Sequence, residues 1–213
     1  MSEAVKRVIT SFLLILFLII SINYIYVLFF LLIICCYEIF YEFFSMIKKI
    51  FISKKNKIHL YIFSLILLIY ITFINLEIFN IFLFDITEKK ETFYLIVAIC
   101  ISTDVGGYVF GKIFKGKKLS KISPNKTYSG LFGSYLLSVI ISLYLFNNIY
   151  EINELVLFSL IISSISQAGD MFISFLKRKA KLKDTGNIFP GHGGMLDRFD
   201  GLIFAIPLGL VIL

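Results

Sequence analysis

The chain has 213 residues, of which 59% are hydrophobic and 16% charged, and it carries a net charge of +7. Soluble domains average about 25% charged residues, so this composition excludes an ordinary soluble fold, which would lack the charges to cover its core. The three cysteines, Cys35, Cys36 and Cys100, all sit in apolar runs and two are adjacent, which excludes a disulfide framework or a zinc spacing.

In chain order, Lys6 and Arg7 precede an apolar run that starts at Ile9 and continues past Phe40. No small-residue cleavage site interrupts it, so it is expected to be retained in the membrane and not removed as a signal peptide. A crossing helix needs about 20 apolar residues. The run 9–47 is roughly twice that and predicts two passes, with a turn near 21–24. A basic stretch at 48–57 follows, then apolar runs at about 59–76, 92–114, 129–147, 155–176 and 199–213. The predicted fold class is therefore all-α, a polytopic integral membrane helical bundle of about seven segments, the last one short.

The connections sort by charge. Lys6 and Arg7 and the stretches 48–57, 112–126 and 177–198 are basic. The stretches 77–91 and 147–154 carry Glu77, Asp85, Glu88, Glu91, Glu151 and Glu154 against Lys89 and Lys90 only. Positive-inside counting places the four basic regions in the cytoplasm, and seven alternating passes satisfy it with the N-terminus inside and the C-terminus outside. Basic clusters in this setting mark cytoplasmic loops, so nucleic acid is not expected as a partner.

Polar residues at membrane depth stand out against this background. Asp104 lies inside the run 92–114, where a carboxylate costs about 2.5–3.5 kcal/mol on insertion scales and normally faces a wet cavity or a partner. Gly107 and Gly111, four apart, suit close helix packing within or between chains. Ser123, Lys126, Thr127 and Ser129 precede an apolar run, which suits either an anion site at a helix start or a plain helix cap. Asp170, Ser174 and Lys177 share one helical face, with Arg178 beside them at the end of the run. A carboxylate below a basic cluster suits Mg²⁺ together with phosphate. The glycine-rich turn at 190–194 contains His192, and Asp197 and Asp200 follow at i and i+3, expected at the start of the final helix. These placements predict a polar cavity facing the cytoplasm.

The segment 174–200, SFLKRKAKLKDTGNIFPGHGGMLDRFD, resembles the signature of the phosphatidate cytidylyltransferases, also called CDP-diacylglycerol synthases, at every specified position. Two shorter features of that family lie upstream in the same order, from Asp104 to Lys112 and from Ser123 to Thr127. The chain departs from the family pattern at Gly107, commonly Ala, and at Ser129, commonly Glu. The N-terminal half is similar only in hydropathy, so residues 1–90 are expected as N-terminal membrane helices and 91–213 as the catalytic membrane region.

The resemblance implies transfer of CMP from CTP to phosphatidic acid, giving CDP-diacylglycerol and pyrophosphate, in a bacterial-type inner membrane with the active site facing the cytoplasm. It implies Asp170 and Asp197 as ligands of one or two divalent ions, Mg²⁺ first among them. Lys177, Arg178, Lys183 and Arg198 would hold phosphates, and Asp184 and Asp200 belong to the same catalytic set. Asp104, Ser123, Lys126, Thr127 and Ser174 would line the CTP or lipid-head pocket. His192 would bond a phosphate or leaving-group oxygen, with no proton-transfer role. The family also brings a homodimer into consideration. A cytidylyltransferase for an isoprenoid lipid phosphate would share the catalytic set, as would a CTP-using polyprenol kinase in part. A cation or proton transporter would suit the intramembrane aspartates but not the basic cluster on one side.

Overall fold

The structure is a computed structural model and describes residues 23–52, 57–119, 123, 126–188 and 193–213. Seven helices run through these residues: α1 Ile25–Ile52, α2 Lys57–Leu83, α3 Thr87–Phe114, α4 Tyr128–Phe146, α5 Ile152–Lys179, α6 Leu196–Phe199 and α7 Leu202–Ile212. Five of them, α1 to α5, are long and apolar enough to cross a membrane. The expected first pass, at about 9–20, lies outside the described residues, as do Pro124 and His192.

Two boundaries differ from the sequence expectation for one reason. The basic stretch 48–57 was expected as a loop, yet α1 continues to Ile52 and α2 begins at Lys57. The acidic stretch 77–91 narrows in the same way to residues 84–86, between α2 and α3. Helical hydrogen bonding does not stop where hydropathy does, because long charged side chains at a helix end reach back to water. Asp85 makes the tight turn at φ 53, a left-handed conformation that Asp tolerates better than most residues. The Ile86 amide closes the turn on the Ile81 carbonyl at 3.2 Å.

The expected seventh segment is not one helix. A break at residues 200–201 separates four-residue α6 from eleven-residue α7, which contains Pro207. At 1.5 Å per residue α7, Leu202–Ile212, extends roughly 17 Å, against about 30 Å of hydrocarbon.

The chain packs as two compact units. The first comprises residues up to Ile86 together with Leu176–Phe199, and the second comprises Thr87–Phe175 with Asp200–Leu213.

In the second unit, α3 and α4 meet backbone to backbone. A Cβ on Gly106 would strike the Gly133 carbonyl, and one on Gly130 would lie 2.7 Å from the Gly107 oxygen. Gly107 itself leaves room for the Ser134 hydroxyl, 2.8 Å from where a Cβ would stand. Gly107 and Gly111 therefore serve packing within the chain, in the small-residue manner of membrane helices. Serines continue the close contact deeper in this unit. Ser138, Ser142, Ser159 and Ser163 are fully buried, and Ser159 donates to the Ser142 oxygen at 2.6 Å. No buried side-chain N or O atom among the described residues is without a partner, as a medium without water requires.

Candidate functional site

The second unit contains a polar cleft of about 270 Å³, lined by Thr103, Asp104, Tyr108, Ser123, Lys126, Thr127, Ser134, Gln167 and Asp170 among others. Hydrogen bonds within and between α3, α4 and α5 join residues that line it. Ser134 donates to the Thr103 carbonyl at 2.7 Å, Thr103 donates to the Ser163 hydroxyl at 2.9 Å, and Gln167 donates to the same hydroxyl at 3.2 Å. On one wall, Lys118 and Thr127 form an antiparallel bridge, with the Leu119 amide bonded to the Lys126 carbonyl at 2.8 Å. Thr127 then caps α4, accepting the Gly130 amide at 3.1 Å. The cap reading of this segment holds for Thr127, and the same residue still lines the cleft.

Two basic and acidic residues meet here. Lys126 is ion-paired with Asp170 Oδ2, and Ser174 donates to Asp170 Oδ1 at 3.2 Å. Asp170 and Ser174 thus share a helical face, as their spacing predicts. Ser129, at a position where Glu was the expected residue, accepts the Gly116 amide at 3.2 Å and lies 3.0 Å from the Thr127 hydroxyl. Its short side chain ties the turn after α3 to the start of α4.

The first unit holds a second polar centre, built on the segment between α5 and α6. Helix α5 ends in a Schellman turn. Lys181 sits at φ 57, its amide bonds the Arg178 carbonyl at 3.1 Å, and the Leu182 amide bonds the Lys177 carbonyl at 2.9 Å. The chain reverses there, and Arg178 donates to the Leu182 carbonyl at 3.3 Å. Lys177 is thereby left beside Asp197, with Nζ 2.7 Å from Oδ1. Asp197 Oδ2 accepts the Thr185 amide at 2.8 Å and the Gly194 amide at 3.1 Å, and it lies 3.0 Å from the Thr185 hydroxyl, whose single proton has a nearer acceptor in Glu42 of α1, at 2.7 Å. Gly193 permits this at φ +83, where a Cβ would sit 2.9 Å from Asp197 Oδ2. Burial pushes the Asp197 carboxyl up, but the Lys177 hydrogen bond and the Thr185 and Gly194 amides outweigh it and hold the group below the usual carboxylate range.

The remaining expected site residues fall as follows. Lys183, Asp184 and Arg198 are exposed in the first unit. Asp200 does not share a helix with Asp197, because α6 ends at Phe199, and its Oδ1 accepts the Gly201 amide at 2.8 Å. His192 lies outside the described residues. Asp170 belongs to the second unit and Asp197 to the first. No group of three His, Cys, Asp or Glu residues gathers among the described residues, which does not suit a zinc-type cage of protein ligands. The donor chemistry does suit Mg²⁺, which takes oxygen ligands and commonly one or two carboxylates, with waters and substrate phosphates completing the shell. Asp197 Oδ2 takes the Thr185 and Gly194 amides, while Oδ1 takes Lys177. Among the described residues, Asp170 Oδ2 pairs with Lys126 and Oδ1 accepts from Ser174, and a carboxylate oxygen can accept more than one donor.

One buried residue escaped the sequence reading. Glu42 on α1 is 2% exposed and accepts the Thr185 hydroxyl at 2.7 Å, the Met195 amide at 2.9 Å and the Leu196 amide at 2.8 Å. The signal that flagged Asp104, a carboxylate within an apolar run, was also present at Glu42. Gln167 and Ser134 escaped as well, since a single amide or hydroxyl in an apolar helix is unremarkable without its neighbours.

A family model described as the cytidylyltransferase family matches residues 47–213. Among curated proteins, the chain is 41% identical over 141 residues to a phosphatidate cytidylyltransferase of Rickettsia typhi, covering 61% of this chain and 62% of that one. It is 43% identical over 133 residues to the protein of that name from Rickettsia prowazekii, covering 57% and 58%. It is 41% identical over 128 residues to one from Staphylococcus epidermidis, covering 57% and 49%. The chain spans about three fifths or less of the length of these relatives.

Proposed function

Because the chain belongs to the cytidylyltransferase family, we propose that it transfers CMP from CTP to phosphatidic acid in a bacterial-type inner membrane, from a site facing the cytoplasm. An oxygen of the lipid phosphate attacks the α-phosphorus of CTP. The bond from that phosphorus to the bridging oxygen of the β-phosphate breaks, and pyrophosphate leaves with CDP-diacylglycerol as the other product. The lipid phosphate is already ionised near pH 7, so no general base is needed. The observation that carries this reading is the Lys177–Asp197 pair, with Asp197 also held by the Thr185 and Gly194 amides, within the stretch that the family model covers. The curated relatives bear the name of this activity.

Both substrates are anions, so catalysis rests on positioning and charge neutralisation. Lys177 and Lys126 supply cationic groups for phosphate oxygens, with Arg178, Lys183 and Arg198 as further phosphate contacts. Asp170 and Asp197 would each offer a carboxylate oxygen to Mg²⁺, which when bound would neutralise phosphate charge. Asp104, Ser123, Thr127 and Gln167 offer hydrogen bonds to the nucleotide or the lipid head in the cleft of the second unit. Purified protein in detergent, given labelled CTP, Mg²⁺ and a panel of lipid phosphates, tests the reading. Release of pyrophosphate that requires phosphatidic acid is the expected result. Product from an isoprenoid phosphate alone would move the acceptor, and product from ATP but not CTP would remove the nucleotide assignment.

A further inference from the structure

We propose that Glu42 is a positioning residue of the nucleotidyl-transfer site, holding Thr185 and residues 194–196 in the arrangement that presents Asp197 and Lys177. The proposal rests on the functional reading above for its catalytic part and on geometry within one packed unit for the rest. Glu42 comes from α1, 143 residues before Thr185 and 154 before Leu196. Its carboxylate is nearly inaccessible, and burying such a group is costly unless donors surround it. The donors come from those residues: the Thr185 hydroxyl and the amides of Met195 and Leu196.

Two glycines are explained by the same carboxylate. A Cβ on Gly186 would collide with Glu42 Oε1, and one on Gly194 would collide with both Glu42 oxygens and the Thr185 hydroxyl. Gly186 and Gly194 therefore both approach the Glu42 carboxylate, and a side chain at either position would displace it. Thr185 links this arrangement to Asp197. Its hydroxyl lies 2.7 Å from Glu42 Oε2 and 3.0 Å from Asp197 Oδ2, while its amide bonds the same aspartate oxygen at 2.8 Å. Gly194 has the same double role, with its amide on Asp197 and its missing side chain making room for Glu42. Glu42 need not touch a substrate for its loss to displace the groups that would.

Glu42→Gln tests this. A carboxylate accepts on both oxygens, whereas an amide accepts on one only, so at least one donor of the segment loses its partner. In hydrogen–deuterium exchange of the detergent-purified protein, amides at 194–196 should exchange at least about tenfold faster than in the unaltered protein, with α3 and α4 unchanged. CMP transfer should fall at least about tenfold in kcat, with the KM for CTP within about threefold. Thr185→Val removes only the hydroxyl link and keeps the backbone bonds of Glu42. It should shift both readouts in the same direction by a smaller factor, and it decides the matter if Glu42→Gln fails to fold. Unchanged exchange in the variants would overturn the proposal, as would faster exchange with normal turnover. An unaltered protein that makes no CDP-lipid would count against the functional reading, while the exchange measurement still decides whether Glu42 holds the segment.

Discussion

Lys177 Nζ lies 2.7 Å from Asp197 Oδ1, and both side chains are largely shielded, at 12% and 8% exposure. The other oxygen of Asp197 takes the amides of Thr185 and Gly194. Asp197→Asn keeps the shape but offers one acceptor in place of two. If the amide oxygen serves Thr185 and Gly194, the NH₂ group faces Lys177, donor against donor. Loss of such a buried bond costs about 1–3 kcal/mol. We expect a lower thermal midpoint in detergent and at least a hundredfold loss of CMP transfer, about 2.7 kcal/mol in the barrier, measured with labelled CTP.

The Lys126–Asp170 pair should behave differently. Its side chains are 27% and 25% exposed, and partly solvated pairs contribute about 0–1 kcal/mol to stability. Lys126→Met should therefore leave the melting midpoint nearly unchanged while CMP transfer falls by about two orders of magnitude, given its place in the polar cleft. A large drop in stability with proportionate loss of activity would make the pair structural.

Acid should loosen the hold on Thr185 and Gly194 through Asp197. Its carboxyl is held below the usual range, so the stabilisation it brings is complete above the ordinary aspartate value near 3.9. That stabilisation is lost as pH falls through the lower, folded-state value. Amide exchange at 185 and 194, corrected for intrinsic pH dependence, should stay protected from neutral pH down to about 4 and rise below it. Asp197→Asn should flatten that acid response.

Gly106→Ala should destabilise the second unit without touching the polar cleft directly. The new methyl would meet the Gly133 carbonyl, a backbone atom that cannot swing aside. Overpacking of this kind costs about 1–3 kcal/mol, which a thermal unfolding series in detergent would read as a lowered midpoint. A midpoint equal to that of the unaltered protein would mean that α3 and α4 can separate freely.

Much of this arrangement was legible before any coordinates. Hydropathy located the long helices, because an apolar medium leaves the backbone few alternatives to helix. The i, i+4 spacing placed Ser174 beside Asp170. Helix ends were less legible, since Lys48, Lys49 and Glu88 are polar yet helical. The break at 200–201 was missed because Asp197 and Asp200 read equally well as one helical turn. Glu42 was missed for a different reason. Its partners lie more than 140 residues away, and no local pattern announces a contact that only tertiary folding creates.

Each of the two lysine–carboxylate pairs is electrically neutral before any ligand arrives. The positive charge of Lys126 and Lys177 is thus withheld from passing anions while Asp170 and Asp197 retain it. A bare anion competes with a carboxylate for each ammonium group, whereas a nucleotide escorted by its own counter-cation offers the carboxylate a substitute partner. On the proposed reading, free orthophosphate should therefore be a poor competitor at either pair.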